Sequence, residues 1–306
     1  MIKLVDVYKN YEGYEAVRGI SFQVNEGELY VLLGPSGCGK STTLRLINRM
    51  VDRTSGDIYV EGENVDNFQV ESLRKKMGYV IQSTGLFPHM NVEDNIATVP
   101  LLLKWDAKRI RERCKEMLKL VGLEPDTYAK KLPKELSGGE AQRVGVARAL
   151  ASDPHILLMD EPFGAVDPIS RLRLQNEFKE IQKKLKKTVI FVTHDVEEAL
   201  LLGDKICIMR DGEIVQEGTP EEVILKPKDA FVEDFFVKEG ALSLLTRFKA
   251  RDHCEEVKIE GEALSEDASL KEALSEMILR GADRVPLENG SLSLQGIMEV
   301  IRGEHQ

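Results

Sequence analysis

Glu28-Leu29-Tyr30-Val31-Leu32-Leu33-Gly34-Pro35-Ser36-Gly37-Cys38-Gly39-Lys40-Ser41-Thr42 is an apolar run that breaks into glycines and then into a lysine. Glu28 to Leu33 has the length and composition of a strand buried on both faces. Lys40 to Met50 reads as a helix. Between them, Gly34–Thr42 fits the pattern G-x-x-x-x-G-K-[ST] in its required place, after a strand and before a helix. The loop Gly34, Pro35, Ser36, Gly37, Cys38 and Gly39 wraps closely enough for its N–H groups to point at phosphate oxygens. The positive end of the following helix favours the same anion. Lys40 supplies a mobile charge for β- and γ-phosphates, the Ser41 hydroxyl is placed to ligate Mg²⁺, and Thr42 completes the motif. Cys38 lies inside this cradle, so bulky thiol reagents are expected to inhibit and a bound nucleotide to protect.

Outward from the cradle, strand runs recur at Gly78–Ile81, Ile156–Met159, Thr188–Val192 and Lys205–Met209, with helical stretches between them. That alternation implies an α/β layered fold. From Val92 to Ala151 the texture is helical, rich in Lys, Arg, Glu and Leu, and reads as a helical subdomain inserted at about 92–151. The run His155 to Met159 ends in two carboxylates. Asp160 is positioned to hold Mg²⁺ through water and Glu161 to polarise an attacking water as general base.

Leu136-Ser137-Gly138-Gly139-Glu140 precedes a helix expected over Ala141–Ala151. Ser137, Gly138 and Gly139 at a helix N-terminus make a second anion site, and one nucleotide pocket does not need two. Here the sequence resembles the ABC ATPases, whose signature usually reads Leu-Ser-Gly-Gly-Gln; Glu140 is the departure. The resemblance implies an α/β P-loop NTPase cassette with a RecA-like core and the inserted helical subdomain. It further implies ATP and Mg²⁺ as ligands and a head-to-tail homodimer in which each signature loop caps ATP in the other subunit's cradle. Other family landmarks fall in order. Tyr11 matches the aromatic that stacks on adenine, and Gln82 the glutamine that reaches Mg²⁺ and the water. Gly164–Asp167 matches the loop that crosses the dimer interface, and His194 the histidine that contacts the γ-phosphate. Lys40, Glu161 and His194 are thereby the expected catalytic set, with Ser41, Gln82 and Asp160 around the metal. The resemblance covers about 1–235.

Leu86–Met90 and Leu158–Pro168 look like import-type ATPases, and within those Gly78–His89 together with Val99–Trp105 closely resembles the subfamily that imports quaternary amines such as glycine betaine, choline and carnitine. An ATPase of another importer, for sugar or amino acid, is the alternative, and a non-transport ABC protein a more distant one. Long coiled coils of the chromosome-acting members are absent, since 120 residues separate Lys40 from Asp160. The implied partners are transmembrane permease subunits and, indirectly, an extracytoplasmic substrate-binding protein. A linker is expected over 236–250. Residues 251–306 look like a single small α+β CBS-like unit for regulation or dimerisation, pairing with its copy on the other subunit.

Composition agrees with a cytosolic protein, and the resemblance implies a peripheral seat on the cytoplasmic face of the membrane. No run approaches the roughly 18 apolar residues of a membrane-spanning helix. Four cysteines without a CxxC pair argue for free thiols. The net charge of −10 is uneven: Arg251–Gln306 holds 13 acidic and 6 basic side chains, leaving −3 on the rest. Such a balance gives no electrostatic reason to bind nucleic acid.

Overall fold

The computed structural model describes residues 1–82, 85–164, 166–235, 245–257, 259, 261–265 and 267–302. Its two compact units are Met1–His194 with Cys207–Ile214, and Asp195–Ile206 with Val215–Gln306.

The first unit begins with β1 (Ile2–Tyr11) and β2 (Tyr14–Val24), followed by β3 (Leu29–Leu33) and α1 (Lys40–Ile47). Then come β4 (Ser55–Val60), β5 (Glu63–Asn64), α2 (Val70–Lys75) and β6 (Met77–Val80). An antiparallel sheet of order β2-β1-β4-β5 forms from four of these. Ile2, Leu4 and Val7 point into the core, but the register slips between Leu4 and Val7, where Asp6 takes φ +45°. That bulge interrupts the period-two pattern. Helix α1 stops three residues short of the expected Met50. Asn48 caps it by donating its N–H to the Leu44 carbonyl, and Arg49 turns into the left-handed region at φ +53°.

From 92 to 150 only helices occur among the described residues: α3 (Val92–Leu102), α4 (Ala107–Leu120), α5 (Pro125–Tyr128) and α6 (Gly138–Leu150), with short turns between. Asn91 and Asp106 cap α3 and α4 through their side-chain oxygens. Helix α4 buries Ile110, Cys114, Met117 and Leu118, the spacing of a single apolar stripe. Helix α6 begins three residues earlier than expected, so Gly138 and Gly139 belong to its first turn and Ser137 is its N-cap.

The second sheet contains β7 (Ile156–Asp160), β8 (Thr188–Thr193), β9 (Lys205–Arg210) and β10 (Glu213–Gly218), in the order β10-β9-β3-β8-β7-β6. Helix α7 (Pro168–Leu185) lies between β7 and β8 in sequence. Strands β3, β8, β7 and β6 run parallel, and every residue of β3, β7 and β8 is buried. Each aliphatic side chain buried this way contributes roughly 1.5–3 kcal/mol. The register pairs Leu33 with Thr193 and Asp160 with Val192. The loops leaving these strand ends therefore emerge side by side at the carboxyl edge, where open parallel sheets bind ligands.

The second unit contains α8 (Val196–Leu202) and α9 (Pro220–Leu225), and then helical residues at 230–235. Of the linker expected over 236–250, residues 236–244 lie outside the described residues. Beyond them, helix Leu270–Arg280, the hairpin β11 (Arg284–Leu287) with β12 (Gly290–Ser293), and helix Leu294–Arg302 follow in order. Met277, Val285, Leu292 and Ile297 form their core together with Leu245 and Ala250, so packing here begins before Arg251.

Candidate active site at the sheet's carboxyl edge

Backbone conformation specifies the cradle. Gly34, Gly37 and Gly39 have φ of +152°, +83° and +104°. A methyl group on Gly34 would stand 2.2 Å from the Met209 carbonyl oxygen, and one on Gly39 would stand 2.5 Å from that of Ala16. Glycine is thus required twice, by conformation and by space. At Gly37 an added carbon meets nothing within 4 Å, because this part of the loop faces open space. The buried Lys40 ammonium folds back to donate to the carbonyls of Gly34 (2.6 Å) and Pro35 (2.9 Å).

Ser36, Gly37, Gly39, Lys40, Ser41 and Thr42 line one depression together with Gln82, Glu161, Ala16 and Tyr14. The Ser41 hydroxyl donates to Asp160 Oδ1 at 2.7 Å, joining the cradle to the end of β7. Burial pushes the Asp160 carboxyl up, although the Ser41 hydrogen bond pulls the other way. A buried carboxylate beside a hydroxyl and an amide is a set of hard oxygen donors, which fits Mg²⁺.

Glu161 is the junction of the site. Gln82 Nε2 donates to its Oε2 at 3.0 Å, and His194 Nδ1 lies 3.4 Å from its Oε1. Its backbone sits at φ +44°, a left-handed conformation that costs a non-glycine residue about 1–2 kcal/mol. The Glu161 N–H is tied to the Val192 carbonyl of the neighbouring strand at 3.0 Å, which holds it there. Strain of this kind, imposed by a rigid sheet, aims the side chain.

Two expected members stand differently. The Cys38 thiol is buried among core residues, its pKa raised by that burial, and its sulfur lies 3.7 Å from the Lys40 ammonium rather than in the lining of the depression. Inhibition by bulky thiol reagents is therefore not expected. Tyr11, at the end of β1, is half exposed with the Lys9 ammonium 4.7 Å from its ring centroid, and it is not among the residues lining the depression. Tyr14, which sequence reasoning passed over, does line it and donates its hydroxyl to the Gly37 carbonyl at 2.8 Å. Its signal in the sequence is only a second tyrosine three residues on.

The signature segment lies elsewhere. Ser137, Gly138 and Gly139 line a second depression with Arg143, Val166, Asp167, Ser170, Arg173 and Leu174, and none of these residues lines the first. Asp167 caps α7 by accepting the Ser170 N–H at 3.0 Å. Ala165, in the same loop, lies outside the described residues. One chain therefore carries a glycine-rich cradle with carboxylates at the adjacent strand end, and a separate helix-cap site that the cradle does not use. That combination defines an ATP-binding cassette.

Comparison with known proteins agrees. Residues 17–164 match the family model described as ABC transporter. The chain is 44% identical to the choline transport ATP-binding protein OpuBA of Bacillus subtilis, over 98% of this chain and 78% of that one. It is also 44% identical to the glycine betaine uptake system ATP-binding protein YehX of Escherichia coli, over 97% of this chain and 99% of that one. The dimeric post-hydrolysis structure of the cassette MJ0796 bound to ADP and Pi superposes with a TM-score of 0.65 at 34% identity, covering 72% of this chain and 99% of that one. This chain belongs to the ABC transporter family, among its ATP-binding proteins. The similarity to OpuBA and YehX runs past residue 235 into the C-terminal unit.

Proposed function

We propose that the chain is the ATP-hydrolysing subunit of an importer for quaternary amine osmoprotectants such as glycine betaine, choline or carnitine. The observation that carries the ATPase reading is the convergence of Ser41, Asp160, Gln82, Glu161 and His194 beside the cradle, with the signature segment in a depression of its own. The substrate class rests on the similarity to a choline and a glycine betaine transport ATP-binding protein that align with nearly the whole chain.

In this reading two subunits close head to tail on ATP. The loop N–H groups and Lys40 bind the phosphates, which requires the Lys40 ammonium to leave the Gly34 and Pro35 carbonyls. Ser41, Asp160 and Gln82 would hold Mg²⁺, which neutralises charge on the β- and γ-phosphates. Glu161 takes a proton from the attacking water, and His194 supports the γ-phosphate. Tyr11 stacks on adenine from outside the depression. Ser137, Gly138 and Gly139 complete the partner subunit's site. Gln82 links Glu161 to the loop facing the permease, so closure and hydrolysis are felt there. No helix among the described residues is long and apolar enough to cross a membrane, and the reading seats the subunit on the cytoplasmic face against permease subunits. We assign residues 1–235 to the ATPase domain and 251–306 to a CBS-like unit, supported by its order of helix, hairpin and helix.

Glu161→Gln is expected to lower hydrolysis at least about 100-fold while trapping an ATP-bound dimer; ordinary turnover would remove Glu161 as the base. Uptake into vesicles holding the full complex should be driven by ATP for quaternary amines and not for sugars or amino acids. Transport of one of the latter would reassign the substrate. Truncation after residue 240 should alter self-association or control of the ATPase, and no change in either would leave the C-terminal unit without the proposed role.

A further inference from the structure

Glu140 stands where the family signature usually has glutamine, and both of its carboxylate oxygens are engaged. Oε2 accepts the Ser137 backbone N–H at 2.7 Å and Oε1 accepts the Tyr128 hydroxyl at 2.6 Å. The Glu140 N–H returns to Ser137 Oγ at 3.3 Å, which closes a capping box. Tyr128 closes α5, nine residues before Ser137, and the Lys131 ammonium sits 4.2 Å from its ring centroid. The carboxylate occupies the first turn of α6, where the peptide dipoles favour negative charge. The Tyr128 hydroxyl and then the Ser137 N–H hold it below the usual carboxylate range.

The arrangement sorts the hydrogen-bond donors of the signature. The Ser137 N–H is consumed inside the box. The Ser137 hydroxyl accepts one long bond from the Glu140 N–H and stays within reach of the Glu140 carboxylate, so the same box fixes its place. Gly138 and Gly139 sit in the first turn, so their N–H groups have no intrahelical partner. An anion approaching α6 therefore meets one hydroxyl and two N–H groups, in an orientation set by a tether from a different helix.

We propose that Tyr128 and Glu140 are positioning residues for ATP hydrolysis, clamping α5 to the first turn of α6 so that Ser137, Gly138 and Gly139 present these donors to the triphosphate of the partner subunit. This rests on the two-subunit site proposed above. Glutamine can serve the same clamp, because its carbonyl accepts the Ser137 N–H while its amide donates to the phenol oxygen. Alanine can do neither. Phenylalanine at 128 loses one arm.

The test uses the full chain carrying Glu161→Gln, titrated with Mg-ATP, with the dimer read by light scattering. Binding of a fluorescent ATP analogue to the isolated subunit reports its own cradle. Adding Glu140→Ala is expected to raise the ATP concentration for half-maximal dimer about tenfold and Tyr128→Phe about threefold, the pair together no more than Glu140→Ala alone. Glu140→Gln is expected to stay within about twofold of the parent, and analogue binding by every variant likewise. Unaltered dimerisation of Glu140→Ala and Tyr128→Phe, or failure of Glu140→Gln to restore what alanine loses, overturns the clamp. A parent that never dimerises overturns the two-subunit site itself. Tyr128→Phe removes a single oxygen, so it keeps the test decisive if the alanine variant misfolds.

Discussion

The cradle and the signature are both glycine-bearing entries to a helix, yet they are built by opposite means. Gly34, Gly37 and Gly39 all have positive φ, and α1 starts without a side-chain cap. In the signature, Gly138 and Gly139 lie in the helix, and side chains do the capping. The cradle is specified by backbone shape that only glycine permits, and it meets its carboxylates within the same chain. The signature is specified by Ser137 and Glu140, while its glycines keep the surface low for something that must come close. Glycine serves conformation in the first and access in the second.

Substitutions test that contrast. Gly34→Ala forces a left-handed alanine against the Met209 carbonyl and should destabilise the first unit by about 3 kcal/mol or more, visible as a lowered Tm. Lys40→Ala should leave Tm nearly alone and weaken nucleotide binding about 10- to 100-fold, measured by calorimetry. Gly139→Ala places its carbon at an ordinary 3.4 Å from Leu174 Cδ1 in a helical conformation, so folding should change by less than about 1 kcal/mol. On the proposed two-subunit reading, ATP-driven dimerisation should fall nonetheless, since the added methyl enters the depression that the signature segment lines. The smallest effect is expected at Cys38. Under native conditions a bulky thiol reagent should label Cys254, the one thiol that is not buried, and ATP should not alter the pattern seen by mass spectrometry. Burial holds the Cys114 thiol still further from reaction, with its pKa pushed up to about 12.

Much of the α/β core was readable because its strands are continuous apolar runs that end at punctuation. Leu29–Leu33 breaks at Gly34, and Ile156–Met159 at Asp160. The antiparallel sheet was not, since β1 alternates only until its bulge at Asp6, after which tyrosines stand among its exposed residues. The end of α1 depended on Arg49 taking a left-handed turn, for which arginine carries no local signal. At the site, residue types and order disclosed which side chains meet, but not which way they face. Cys38 turns inward, Tyr14 lines the depression where Tyr11 does not, and the second role of Glu140 depends on Tyr128, brought back to it by a turn.

Parallel registry among β3, β8 and β7 has an evolutionary consequence. Cradle, histidine and carboxylates are spaced by the gauge of neighbouring strands, about 4.8 Å apiece, whatever length of chain connects them. Helices α3 and α4, which lie between β6 and β7 in sequence, can therefore be lengthened or re-surfaced without altering that spacing. A lineage is free to retailor those helices while the engine's tolerances stay fixed by the loom of the sheet.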